Sequence, residues 1–197
     1  MAITYDTSAK LKETFLKKIA PALQKELGLK NASASPRLSK VKINVGLGSF
    51  IASKKDYTEA VDNVAAISGQ KPMVTKARMA ISNFKIKQNQ PVGVTVTLRG
   101  KRMYDFITKL VNVTFPRIRD FRGISPKGFD GHGNYTVGIV EATVFPEVNP
   151  DNVDKIHGLE VTIVTTAKDD NQGKKLLEAL GFPFQKIKEK KSKTVEE

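Results

Sequence analysis

Thr95, Thr97 and Arg99 stand at every second position, interleaved with Val94, Val96 and Leu98. A period of two is strand periodicity, so two hydroxyls and a guanidinium share one face and the aliphatic groups share the other. On a sheet face, hydroxyls and amides can hydrogen-bond to ribose 2′-hydroxyls and phosphates, and the guanidinium neutralises charge. Asn44 and Gln70 would add donors and acceptors of the same kind. A solvated sheet face carries the same pattern with no ligand at all.

Other candidate chemistry is thinner. Val41 to Gly48 (VKINVGLG) has the outline of a strand leading into a glycine-rich phosphate loop. The dinucleotide fingerprint needs a third small residue three positions after the second glycine, where Ile51 stands. The glycines fit a tight turn better. His132 lies in Asp130-Gly131-His132-Gly133-Asn134, and one His with one Asp is too few for a metal site. With no cysteine, thiol catalysis, thiolate metal sites and disulfides are excluded together. The residues therefore predict a binding protein, not an enzyme, with no cofactor.

The chain carries 33 basic and 20 acidic side chains, net +13, over 197 residues. The surplus is concentrated. Residues 71–128 hold 13 bases and 2 acids, whereas residues 129–185 hold 4 bases and 9 acids. Such an excess on one segment implies an anionic partner, nucleic acid before membrane. No apolar run approaches the roughly 20 residues of a spanning helix, and residues 1–18 lack the order of a signal peptide, so a cytoplasmic address without membrane association is expected. Aromatic residues are 7% with no Trp, which argues against a sheet that stacks single-stranded bases and for a folded, double-helical RNA read by shape.

These groups need elements to position them. Leu11, Phe15, Leu16, Ile19, Leu23 and Leu27 recur at helical spacing within a helix from Ser8 to Leu27, which Pro21 should kink or split and Gly28 should end. Asn31 to Pro36 reads as a linker. Val41, Ile43 and Val45 mark a strand. Ser53 is a candidate cap for a helix whose buried face runs from Tyr57 to Ile67, closed by Gly69. Strands are expected over Val92–Arg99, Val137–Phe145 and Leu159–Thr166. Helices are expected from Arg102 to about Val113 and after a capping Asp169, with Gly181 closing the last. Five glycines between Gly123 and Gly138 mark a long loop. Without regular βα alternation, the fold class is α+β: an antiparallel sheet with helices packed on one face and the other face free for a partner. Residues 1–185 are read as one domain and 186–197 as a basic, disordered tail.

Several blocks are specific. Ala66-Ile67-Ser68-Gly69-Gln70-Lys71-Pro72 and Thr75-Lys76-Ala77-Arg78 resemble the signature of the bacterial-type 5S-RNA-binding ribosomal proteins of the large subunit, the universal L5 family. Val96 to Gly100, Pro116 to Gly123, Phe129 to Tyr135, Thr165-Thr166-Ala167 and Phe182-Pro183-Phe184 follow in the family's order, so the resemblance spans about 8–185. It departs at Val45 and at Met79-Ala80. The resemblance implies a structural protein whose concave sheet holds 5S rRNA through Asn44, Gln70, Thr95, Thr97 and Arg99. It implies a loop carrying Lys76, Arg78, Met79, Ile81, Ser82, Asn83 and Lys85 that reaches peptidyl-site tRNA. Arg117, Arg119, Arg122, Lys127 and His132 would serve the large-subunit rRNA or the bridge to a small-subunit head protein. Other 5S-binding large-subunit proteins would be neighbours.

Overall fold

The structure, a computed structural model, describes residues 8–53, 55–149 and 156–185; the tail from Lys186 lies outside them. The chain opens with α1 (Ser8–Thr14), a π turn (Phe15–Ile19) and α2 (Ala20–Glu26). Leu11, Phe15, Ile19 and Leu23 are buried, while Leu16, expected on the same stripe, is 60% exposed. Pro21 neither breaks nor ends this helical run. A proline ring conflicts with the carbonyl four residues back, and the backbone answers by widening one turn, so that the Ala20 N–H donates to the Phe15 carbonyl five residues back. The same arrangement precedes Pro116: α5 (Gly100–Lys109) runs into a π turn (Leu110–Thr114) and α6 (Phe115–Arg117), with the Phe115 N–H on the Leu110 carbonyl.

Between these helical runs come β1 (Leu38–Gly46), α3 (Gly48–Ser53), α4 (Thr58–Ser68), β2 (Met73–Lys76) and β3 (Pro91–Leu98). Ser53 closes α3 instead of capping α4, its hydroxyl donating to the Ser49 carbonyl. The start of α4 is held by Asp56, whose carboxylate accepts from the Thr58 N–H (3.1 Å) and hydroxyl. These bonds keep the Asp56 carboxyl below its ordinary pKa. Gly69 ends α4 in the left-handed region (φ 63°), as its position predicted.

The chain finishes with β4 (Tyr135–Ile139), β5 (Leu159–Thr165) and α7 (Asp170–Ala179). The strand expected over 137–145 stops at Ile139, because Ile139 pairs with Leu159 and the pairing goes no further. Residues 142–144 turn into a 3₁₀ piece that buries Phe145. Asp169 does begin α7, but its side chain makes no capping bond there.

The five strands form one antiparallel sheet in the order β2-β3-β1-β5-β4. The first strand in sequence is the central one, and it joins the hairpin β2–β3 on one side to the β5–β4 pair on the other. One face is the core: Val41, Ile43 and Val45 of β1, Val94, Val96 and Leu98 of β3, and Val161 and Ile163 of β5 are buried, in one cluster with Phe106, Ile107 and Leu110. The alternate positions form the open face. This is the α+β architecture expected from the residue pattern.

Candidate nucleic-acid interface

Strand register decides which open-face residues meet. Asn44 pairs with Thr95 on one side and Glu160 on the other, Thr95 pairs with Met73, and Glu160 with Gly138. A second row runs Thr97, Lys42, Thr162, Thr136. Neighbouring pairs on one face lie within reach of a common ligand. The Thr95 hydroxyl donates to the Ile43 carbonyl at 3.2 Å, and Thr136 and Thr162 bond through their hydroxyls at 3.2 Å. At Gly93 a Cβ would stand 3.0 Å from the Thr75 hydroxyl and 3.2 Å from the Val45 carbonyl, so glycine is what lets β2, β3 and β1 lie this close.

Gln70 lies just past α4 and reaches β3. Its amide nitrogen donates to the Thr97 carbonyl at 3.5 Å, and its oxygen accepts from Arg102 at 3.4 Å. Both bonds are at the long limit. Arg99 is exposed, two residues beyond Thr97 where the chain leaves β3 for α5. Asn44, Gln70, Thr95, Thr97 and Arg99, drawn from three separate segments, are thus gathered around β1 and β3.

Lys42, Thr136, Glu160 and Thr162 also stand on the open face without having been singled out from the sequence. Lys42, between Thr97 and Thr162, is two residues from Asn44 and was recoverable from the same alternation. Thr162 was recoverable in the same way. Glu160 places a carboxylate beside Asn44, a pairing that only the register reveals.

The segment 76–90 extends the β2–β3 hairpin beyond the sheet. Ala77 and Gln90 continue the pairing, Ile81 and Ile86 exchange both backbone hydrogen bonds (2.9 and 3.1 Å), and Ser82–Phe84 forms the tip. The loop expected here is thus the end of a hairpin, closed by the single bridge between Ile81 and Ile86. Lys76, Arg78, Ser82, Asn83 and Lys85 are exposed on it, and so are Met79 (72%), Ile81 (42%) and Phe84 (72%). Arg117, Arg119, Arg122, Lys127 and His132 are also exposed, but stand between the start of α6 and β4, outside the strand rows.

The glycine and histidine motifs are structural. Leu47, between Gly46 and Gly48, is buried, and its N–H donates to the Val92 carbonyl. Asp130 accepts from the backbone N–H groups of His132 (2.9 Å) and Asn134 (3.1 Å) and from the Asn134 side chain (2.7 Å). The Asn134 amide leads in holding the Asp130 carboxyl below its ordinary pKa. The Gly133 N–H donates to the Asp170 carboxylate and its carbonyl accepts from the Thr165 hydroxyl, which pins the turn to α7 and β5. Among the described residues no cluster of three His, Asp or Glu is placed to hold a metal.

Two family models cover most of the chain. One, described as ribosomal protein L5, matches residues 31–87; the other, described as the C-terminus of that ribosomal family, matches residues 91–184. The chain is also 58% identical over 176 residues to the large ribosomal subunit protein uL5 of Desulfatibacillum aliphaticivorans, covering 89% of this chain and 98% of that one. This chain belongs to the ribosomal protein L5 family. The uL5 proteins of Anaeromyxobacter sp. strain K and Symbiobacterium thermophilum are 52% and 53% identical to it, matching over 90% and 89% of this chain and 98% of their own length. As an L5-family member it is a structural, non-enzymatic constituent of the large ribosomal subunit, and RNA binding in translation follows from that membership. Its cytoplasmic place is that of the ribosome. The boundary between the two matched regions, residues 88–90, falls within the β2–β3 hairpin.

Proposed function

We propose that the open sheet face of this L5-family protein is a clamp for 5S rRNA, with Asn44, Gln70, Thr97 and Arg99 as its hydrogen-bonding centre and Lys42 as an added phosphate contact. The reading rests on one observation: polar side chains from three segments converge at β1 and β3, beside the stretch in which bases outnumber acids 13 to 2. Thr95 serves as an acceptor for RNA 2′-hydroxyls, since its own proton is donated to the Ile43 carbonyl. A face of hydroxyls, amides and cations suits the shallow minor groove of an A-form helix, where 2′-hydroxyls and phosphates are presented.

In this reading the clamp attaches 5S rRNA to the large-subunit rRNA in the central protuberance, next to other 5S-binding proteins. The hairpin carrying Lys76, Arg78, Met79, Ile81, Ser82, Asn83 and Lys85 extends toward peptidyl-site tRNA. Arg117, Arg119, Arg122, Lys127 and His132 meet large-subunit rRNA or the small-subunit head protein. Residues 1–185 act as one domain, because β1 pairs with both β3 and β5 and so ties the two halves of the chain into one sheet. The test is to purify the protein from cells under low salt and extract its RNA. One stoichiometric RNA of 5S size is expected. A broad mixture of RNAs would replace the clamp with a general RNA chaperone.

A further inference from the structure

The hairpin does more than carry charge outward. Between it and α3 lies a cleft of about 510 Å³, walled by Ile51 and Ala52 of α3, Val92 of β3, and Phe84, Lys85 and Ile86 of the hairpin. That volume falls within the roughly 300–1,000 Å³ typical of small-molecule sites. Apart from Lys85 the walls are apolar, and Phe84 is 72% exposed at the hairpin tip. The tip is closed by Lys85, which adopts the left-handed region (φ 54°) without being glycine. The surroundings are cationic: residues 76–90 hold Lys76, Arg78, Lys85 and Lys87 and no acid, and no salt bridge among the described residues engages any of the four.

We propose that this cleft receives one unpaired nucleobase of the RNA that the hairpin meets, stacked on Phe84, with the hairpin cations on the flanking phosphates. This rests on the reading that the hairpin contacts RNA, and adds a base-binding subsite to it. The combination of surfaces selects the occupant. An aromatic plane and aliphatic walls fit the π-face of a base, and an acid-free cationic hairpin fits the phosphates on either side of it. An apolar peptide would satisfy the walls but leave the cations unpaired. The sheet face, which offers no aromatic ring among its described open-face positions, cannot stack a base, so the two sites divide RNA recognition into duplex shape and single base.

Methyl NMR of the full-length protein tests this, following Ile51 and Ile86 during titration with penta-adenylate and, separately, with its abasic sugar-phosphate counterpart. Penta-adenylate should shift both isoleucines and the abasic chain should not. Phe84→Ala should weaken penta-adenylate binding about tenfold, the scale of one stacked base, and Phe84→Tyr should restore it. Binding of 5S RNA by both variants should match the wild type, which verifies folding. Equal binding of the two oligonucleotides, or wild-type binding by Phe84→Ala, would overturn the base site while leaving the hairpin an RNA contact. Binding of neither oligonucleotide would instead remove the RNA reading of the hairpin itself. Shifts caused only by an apolar peptide would assign the cleft to a protein partner and overturn the proposal.

Discussion

Lys42 sits opposite Thr97 on one side and Thr162 on the other, exposed in the middle of the open sheet face. If this cation meets a phosphate as proposed, Lys42→Ala should weaken 5S RNA binding by about 1.5–3 kcal/mol, the range for a hydrogen bond to a charged group, with no change in melting temperature. Isothermal calorimetry beside a thermal melt checks both halves. Tyr135 offers a test of the core. It is buried, its hydroxyl donates to the Ser125 carbonyl at 2.7 Å, and burial pushes its pKa up to about 12 from 10. A raised folded pKa means that the fold favours the neutral phenol, so this contribution to stability is fully present below pH 10 and is lost as pH rises toward 12. Burial raises the Tyr104 pKa as well, so ultraviolet titration should show late-titrating tyrosines, of which the one near pH 12 disappears in Tyr135→Phe. At this scale the sequence was informative wherever alternation alone places a side chain, as for Thr95, Thr97 and Asn44. It was silent where placement depends on register, as for Glu160 beside Asn44. Ser53 misled because a Ser before an apolar periodic run has the composition of a cap, whereas Asp56, nearer the true helix start, supplies the acceptor.

Among the elements, the β2–β3 hairpin has the most separable role. Replacing residues 77–83 by a short Gly-Ser linker removes Arg78, Met79, Ile81 and the tip turn but leaves β2, β3 and the sheet rows intact. The variant should bind 5S RNA as the wild type does and enter ribosomes, and those ribosomes should hold peptidyl-site tRNA less tightly in a filter-retention assay. Loss of 5S binding would place the hairpin inside the clamp. The charge and turn signals of this segment were legible, but the extra pairing of Ile81 with Ile86 was not, because two residues seldom declare a strand. The two helical runs containing Pro21 and Pro116 show a different limit. Proline announced an interruption at Pro21, yet the helix absorbed it through a π turn, as it does at Pro116, an outcome set by the buried Phe15, Ile19, Leu110 and Phe115 that anchor the two turns.

Over the whole molecule, charge and fold are complementary. The basic segment 71–128 supplies β2, the hairpin, β3, α5 and α6, and the acidic segment 129–185 supplies β4, β5 and α7, with its strands at the other side of the sheet. Binding through the first should release counterions. With about five phosphates neutralised, log K against log salt should fall with a slope near about −4, and a slope near zero would turn the basic segment away from RNA. The antiparallel sheet was legible from alternation, but its order was not, since the placement of β1 between β3 and β5 joins residues far apart in the chain, which no local pattern records. The clamp itself is tested most directly by one filter-binding titration of 5S RNA with the combined variant Asn44→Ala, Gln70→Ala, Thr97→Ala and Arg99→Ala. Each lost contact costs about 1–3 kcal/mol where its partner is left unpaired, so with all four lost binding should fall by about a thousandfold or more, while the long, weak bonds of Gln70 predict an unchanged thermal melt. Wild-type affinity in a normally melting variant would contradict the assignment of 5S RNA to this face.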